Sequence, residues 1–248
     1  MVTILGIAYS GEDEQTQRQL VNEGGLKASF KALHSDHHEV PVAAASLIGN
    51  IVLLEENKDR VLQDPDHVRE LIEAGSEENT ELLHTLLVAV ANLASEEKNV
   101  KYIRNAGGVE WFIAHANSEH SACRDAAFAG LANFANSRAA DELMKNDVLK
   151  LTLPALQGKA IIAKRGAAQT IANLSMQRKF ATAVLDECLT ALIKLASTRD
   201  TRVQVKTKKK KKIKKKKIET KFTFFPSLNL FLILSYSFFH IFFSKKKS

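Results

Sequence analysis

Cysteine is scarce in this chain, and the scarcity sets a first boundary. The 248 residues hold two, Cys123 and Cys188, too few for the disulfide framework of a small secreted domain. The opening residues do not read as a signal peptide. Together these points set the expectation of a reducing, cytoplasmic setting in which each thiol serves as a small buried hydrophobe. Tryptophan occurs once, at Trp111 beside Phe112 and Ile113, where a core role is expected. No Gly-rich phosphate loop, metalloprotease helix or nucleophile elbow occurs, so the chemistry those motifs carry has no support in the sequence. No catalytic residue, metal or cofactor is expected.

Most of the chain also lacks an excess of positive charge. The formal net charge is +7, but residues 207–248 hold 13 Lys and one Glu, leaving 22 of the 35 basic and 27 of the 28 acidic residues in 1–206. The longer part is mildly acidic, and nucleic acid is not among its expected partners.

What is present is one phrase, four times. Ala43-Ala44-Ala45-Ser46-Leu47-Ile48-Gly49-Asn50-Ile51 returns as 87–94, 127–135 and 168–175, and the phrases align on Asn50, Asn92, Asn133 and Asn173, spaced 42, 41 and 40 residues apart. Self-similarity at a period of about 40 marks a helical repeat array. Apolar positions at 44, 47, 48 and 51 form one face of a tightly packed helix. The asparagine falls on the opposite face with the residue four before it and the residue four after it. Asn is a mediocre helix former, so four in register imply a ladder of amides along one surface.

A second device recurs. Gln17 to Leu26 and Ile103 to Val109 each close on a Gly pair, Gly24-Gly25 and Gly107-Gly108, whose second member lies 25 residues before a ladder Asn. Glycine permits the sharp corner between two helices. Asp64-Pro65-Asp66 breaks the helix by another route, and Lys145-Asn146-Asp147-Val148 stands at the fourth corner. Second helices are expected over 26–33, 68–74, 109–116 and 148–156.

These residues resemble the armadillo repeat over roughly 1–206, with the ladder phrase matching its third helix. The resemblance implies an all-α, right-handed α-solenoid of about four full repeats with partial ones at the ends. It also implies a non-enzymatic scaffold that takes a protein or extended peptide in its concave groove. By the same resemblance Asn50, Asn92, Asn133 and Asn173 would contact the partner's backbone; hydrogen bonding within the stack is the alternative for the same amides. Four residues before each Asn, where nuclear-import members carry Trp, stand Ser46, Val88, Ala129 and Gln169, so the likeness does not extend to reading import signals. Four residues after stand Leu54, Glu96, Ser137 and Gln177. Arg124, Lys164 and Arg165 give the last repeats a basic edge that favours an extended or acidic peptide.

His34-Ser35-Asp36-His37-His38-Glu39, with His115 and His120 at matching places, has ligand-type residues, but a solvated loop is the simpler reading. The array is expected to run past both ends of its full repeats. Ile4 to Ala8 overlays the end of a third helix. A fifth repeat opens near Lys179, with first helices over 183–195 and a loop at 197–200. A ladder Asn is due near position 213, where the chain instead reads Lys208 to Lys217 with one Ile.

Three readings of the tail follow. It is a Lys-rich linker (207–221) and hydrophobic stretch (222–248) whose residues 222–243 would span a bilayer, making a membrane-anchored adaptor. Or the lysines form a nuclear signal. Or the segment is translated non-coding sequence, since 207–248 has no Ala, Gly, Val or Asp. Sequencing the spliced message across the codons for Val203 to Thr220 decides. An Ala- and Leu-rich continuation with Asn near 213 marks the tail as non-coding, and retention of the lysine tract makes the membrane a partner.

Overall fold

Helices fall in threes along the described residues, 14–197 of a computed structural model, with no strand among them. The first repeat comprises α1 (Glu14–Asn22), α2 (Gly25–Ala32) and α3 (Glu39–Ile51). The second comprises α4 (Glu55–Leu62), α5 (Pro65–Glu73) and α6 (Thr80–Leu93). The third comprises α7 (Glu97–Asn105), α8 (Gly108–His115) and α9 (Ser121–Ala135). The fourth comprises α10 (Ala140–Lys145), α11 (Val148–Gln157) and α12 (Ile161–Met176), and α13 (Ala181–Ser197) follows. The second helices begin and end within a few residues of expectation. The fifth repeat departs from it, because one unbroken helix stands where a first and second were expected. Residues 181–197 contain no Gly, Pro or Asn to turn the chain. Ile4 to Ala8, the expected entry to a fifth third helix, the 207–221 linker and the 222–248 stretch lie outside the described residues.

The chain divides into two compact units between Leu151 and Thr152, within α11. In the first unit the third helices dominate, with α3 stacked on α6 and α6 on α9. The apolar stripe read from the sequence faces that interior: Ala44, Leu47, Ile48 and Ile51 are buried, as are Leu83, Leu86, Leu87 and Val90 of α6. Small residues set the separation. A Cβ placed on Gly49 would sit 3.7 Å from that of Ala89, so the two helices almost touch there. On α9 a Cβ at Gly130 would overlap the Phe112 ring, and only glycine admits that ring, which packs edge-on to Phe134 at 5.5 Å. In the second unit α12 packs on α13.

The corners explain the Gly pairs. Gly24 and Gly107 have φ of 87° and 81°, and Asp147 takes the same place with φ 54°. Asp is among the few side chains that tolerate the left-handed region. The second repeat uses Asp64 as an extended N-cap whose carboxylate accepts from the Asp66 N–H at 3.0 Å, with Pro65 in the first turn. Trp111 is half-buried rather than in the core. It leans over Gly75, where a Cβ would lie 3.1 Å from the indole, while its neighbour Phe112 takes the interior.

A second pair of asparagines, unnoticed in the sequence, ties first helices to third. Asn57 Nδ2 donates to the Ile51 carbonyl at 3.2 Å and Asn99 Nδ2 to the Leu93 carbonyl at 3.1 Å, both deeply buried. Each supplies a donor to a carbonyl at the end of a third helix; that of Ile51 also accepts from the Leu54 N–H at 3.4 Å. Removing a buried donor leaves its acceptor unpaired, at a cost of about 1–3 kcal/mol. Asn99→Ala should therefore lower the urea unfolding free energy by about that much, while Asn105→Ala, on the exposed end of the same helix, should stay within about 0.5 kcal/mol.

Candidate functional site

An open cleft of about 800 Å³ lies between α3 and α6. From the α3 side it is lined by His38, Glu39, Val42, Ala43, Ser46, Gly49, Asn50 and, just past the helix, Leu53. From α6 it is lined by Glu81, His84, Thr85, Val88 and Asn92. The helical period creates it. Ser46 and Asn50, and Val88 and Asn92, each lie one turn apart on the face opposite the buried stripe.

The structure divides the eight residues read from the repeat phrase. Asn50, Asn92, Ser46 and Val88 line this one cleft. Asn133 and the exposed Ala129 lie on α9 and do not line it; Asn133 Nδ2 donates instead to the Ala91 carbonyl of α6 at 2.9 Å. That amide works within the stack, fastening one third helix to the previous one. In the second unit Gln169 Nε2 donates to Asn173 Oδ1 at 2.8 Å, and Asn173 is buried. Asn92 differs, because its side-chain amide makes no hydrogen bond with any described residue.

The positions four residues after each Asn are not groove residues. Each third helix ends first, so Leu54 and Glu96 serve as caps of α4 and α7, Ser137 is buried with its hydroxyl on the Phe134 carbonyl at 2.8 Å, and Gln177 caps the end of α12. The expected basic edge changes too. Arg124 donates to the Ser118 carbonyl at 2.7 Å, which ties its guanidinium to a loop. Lys164 is half-buried and Arg165 exposed on α12. Among the described residues no three His, Cys, Asp or Glu side chains come together in a way that could hold a metal ion. His115 Nδ1 pairs with Glu77 at 2.9 Å, and His34 lies 3.6 Å from Glu70.

Neither thiol is set up as a nucleophile. Burial, helped by Glu77, pushes the Cys123 thiol up; burial, helped by Glu187, pushes Cys188 up to about 11. Among the described residues no helix is long and apolar enough to cross a membrane.

No protein-family model and no curated protein matches the sequence. Solved structures do. Computationally designed armadillo repeat proteins for modular peptide recognition align with a TM-score of 0.74 at 19% identity, over 81% of this chain and 87% of that one. A designed armadillo repeat protein in complex with the peptide (KR)4 gives 0.71 at 22% identity, over 81% and 85%. An engineered protein gives 0.75 at 24% identity, over 81% and 83%. The fold is an armadillo-like helical repeat solenoid. At these identities the likeness speaks for the fold alone.

In the armadillo-like first unit the first-helix edge spends its charges internally. Arg18 Nε donates to Glu56 at 2.6 Å, Lys58 Nζ to Glu96 at 2.6 Å and to Ser95 Oγ at 2.9 Å, and Lys98 lies 3.0 Å from Asp59. The Arg138 N–H donates to Glu97 at 3.1 Å. Each pair bridges consecutive repeats, so the 40-residue period returns as a line of ionic links. Glu96 is the most enclosed of these carboxylates. Burial alone would push its pKa up, but the hydrogen bonds and charges of Lys58, then Lys98, outweigh that and hold it below the ordinary value.

A depressed carboxylate pKa stabilises the fold above the unfolded-state value of about 4.3 and loses that stability as pH falls through the folded value. Glu96→Gln should accordingly cost roughly 2 kcal/mol at pH 7, in the range for hydrogen bonds to charged groups. Its unfolding free energy should also fall less steeply than that of the unsubstituted chain below about pH 4. Urea titrations at pH 7 and pH 3 measure both.

Proposed function

We propose that this protein is a non-enzymatic interaction scaffold whose α3–α6 cleft takes an extended segment of a partner protein. The observation that carries the reading is the Asn92 amide. It stands in an open cleft without a hydrogen bond to any described residue, on a helix whose neighbour carries Asn50 into the same cleft. An amide offers two donors and an acceptor, which suits the alternating N–H and C=O groups of an extended backbone. Exposed apolar surface at Leu53 (58%) and Val88 (38%) supplies shallow side-chain contacts beside it. Computationally designed armadillo repeat proteins for modular peptide recognition, and a designed armadillo repeat protein in complex with the peptide (KR)4, support a peptide as the kind of partner.

Selection of ten-residue peptides from a displayed random library on the immobilised full chain tests the reading. Selected peptides should compete with one another for one site. Asn92→Ala should weaken them roughly tenfold, the scale of one well-made buried hydrogen bond, without lowering the thermal midpoint. Asn133→Ala should instead lower the midpoint, because its amide holds α9 to α6. An empty selection, or peptides indifferent to Asn92→Ala and to Val88→Arg, would remove the cleft as the binding site.

A further inference from the structure

We infer that the α3–α6 cleft is gated by pH, closed to an acidic segment at neutral pH and open to it once His38 and His84 take up protons; this rests on the peptide-scaffold reading above. The cleft's lining gives the first observation. Its titratable side chains are two carboxylates and two imidazoles, Glu39 and Glu81 with His38 and His84, and no Lys or Arg lines it. The second is where they stand. His38 is the N-cap of α3, and the other three lie in the first two turns of α3 and α6. They gather at the start of the two helices, while Asn50 and Asn92 stand near their ends. The third is that neither imidazole is committed to an ion pair. Among the described residues the paired imidazoles are those of His34, His67 and His115.

An acid in the first turn suits the positive end of a helix, which alone accounts for Glu39 and Glu81. It does not account for the imidazoles, because a cation at that end is unfavourable. Imidazole is the side chain that ordinarily gains its charge between pH 8 and 5. The formal charge of the lining therefore passes from two net negative charges to none over a range in which carboxylates ordinarily stay ionised. The charged groups on the flanking segments are Asp36 and His37 before α3, and His120, Arg124 and Asp125 at the start of α9; none of these lines the cleft, and Arg124 is held on the Ser118 carbonyl. From Asn92 back to His84 is roughly 12 Å along the helix, which an extended chain crosses in about four residues. A segment held at Asn92 thus brings a side chain four residues away to the His84 end. Where that side chain is a carboxylate, Glu39 and Glu81 repel it until the imidazoles are charged.

Fluorescence anisotropy on the full chain at pH 7.5 and 5.5 tests the inference with two rhodamine-labelled nine-residue peptides of one apolar framework and uncharged termini. They carry Glu or Ser at both end positions, four residues from the centre. At pH 7.5 the Glu peptide should bind roughly tenfold more weakly than the Ser peptide, two exposed like-charge pairs at about threefold each. Added salt should narrow that gap. At pH 5.5 the two peptides should agree within about twofold. His38→Gln/His84→Gln should keep the tenfold gap at pH 5.5, and Glu39→Gln/Glu81→Gln should abolish it at pH 7.5. His34→Gln, whose imidazole lies outside the cleft, should match the unsubstituted chain, and thermal midpoints by circular dichroism at both pH values confirm that all the variants fold.

A gap that survives at pH 5.5 in the unsubstituted chain overturns the inference, and so do peptides that bind equally at pH 7.5. So does a gap that closes on acidification in His38→Gln/His84→Gln as well, which assigns the proton to another group. In each of these cases, Ser-peptide binding that Asn92→Ala weakens leaves the cleft a peptide site. If neither peptide binds at either pH, or Asn92→Ala leaves both unchanged, the scaffold reading of this cleft falls and the inference with it.

Discussion

Every feature described above depends on how closely successive third helices approach. Gly49 faces Ala89 at the distance of a methyl contact, and Ala44, Ala45 and Ala89 are fully buried. Alanine and glycine bury little area each, so at about 25 cal/mol per Å² they contribute modestly themselves. Their effect is to bring the backbones together, so that Leu83, Leu86, Leu87 and Phe128 are shut away from solvent. The same economy opens the cleft. A helix face bearing Ser46, Gly49 and Asn50 cannot fill the space before α6, and what makes the helices pack on one side leaves a channel on the other.

The buried amides follow from that approach. Stacked helices bring their ends into apolar surroundings, where an unpaired carbonyl is expensive. Asn57 and Asn99 answer the carbonyls of Ile51 and Leu93, and Asn133 takes that of Ala91. Asparagine is therefore doing two jobs in one array. In the first helices it repairs the joint between repeats, and on the third helices it either adds a further joint, as at Asn133, or stays available in the cleft, as at Asn92. The choice is local. Asn133 and Asn92 share a repeat position, yet among the described residues only Asn133 donates to a carbonyl of the previous third helix.

This local choice marks the limit of what the sequence discloses. The period, the third-helix stripe and the Gly corners were legible because each is a repeated spacing with one physical cause. The Asp147 corner was legible only in part, since a positive φ at a residue other than glycine follows from coordinates rather than composition. Position alone made four ladder asparagines look equivalent, because a side chain's partner depends on a neighbour about 40 residues away. The same limit hid Asn57 and Asn99, although both stand seven residues after a ladder Asn and a second count along the period would have found them. Glu39 was visible, but grouped with His37 and His38 as ligand-type residues. Its kinship is instead with Glu81, across the cleft. The single helix over 181–197 was missed for the opposite reason, because a repeat was carried forward into a stretch without the residues that break helices.

Charge shows most plainly how one residue type acquires two roles in this fold. Glu96 is three-quarters enclosed beside the nearly buried Lys58, so its field is poorly screened and its ion pair is written into the stability of the folded chain. Glu39 and Glu81 are exposed at the mouth of a cleft, where water and salt screen them and an isolated charge alters folding little. Only an occupant that displaces that water would lower the local dielectric and raise the worth of the interaction. Selectivity of this kind is silent in the empty protein and appears on binding. Such charges can vary from one repeat to the next without penalty to the stack, and here α3 and α6 begin with an acid while α9 and α12 do not.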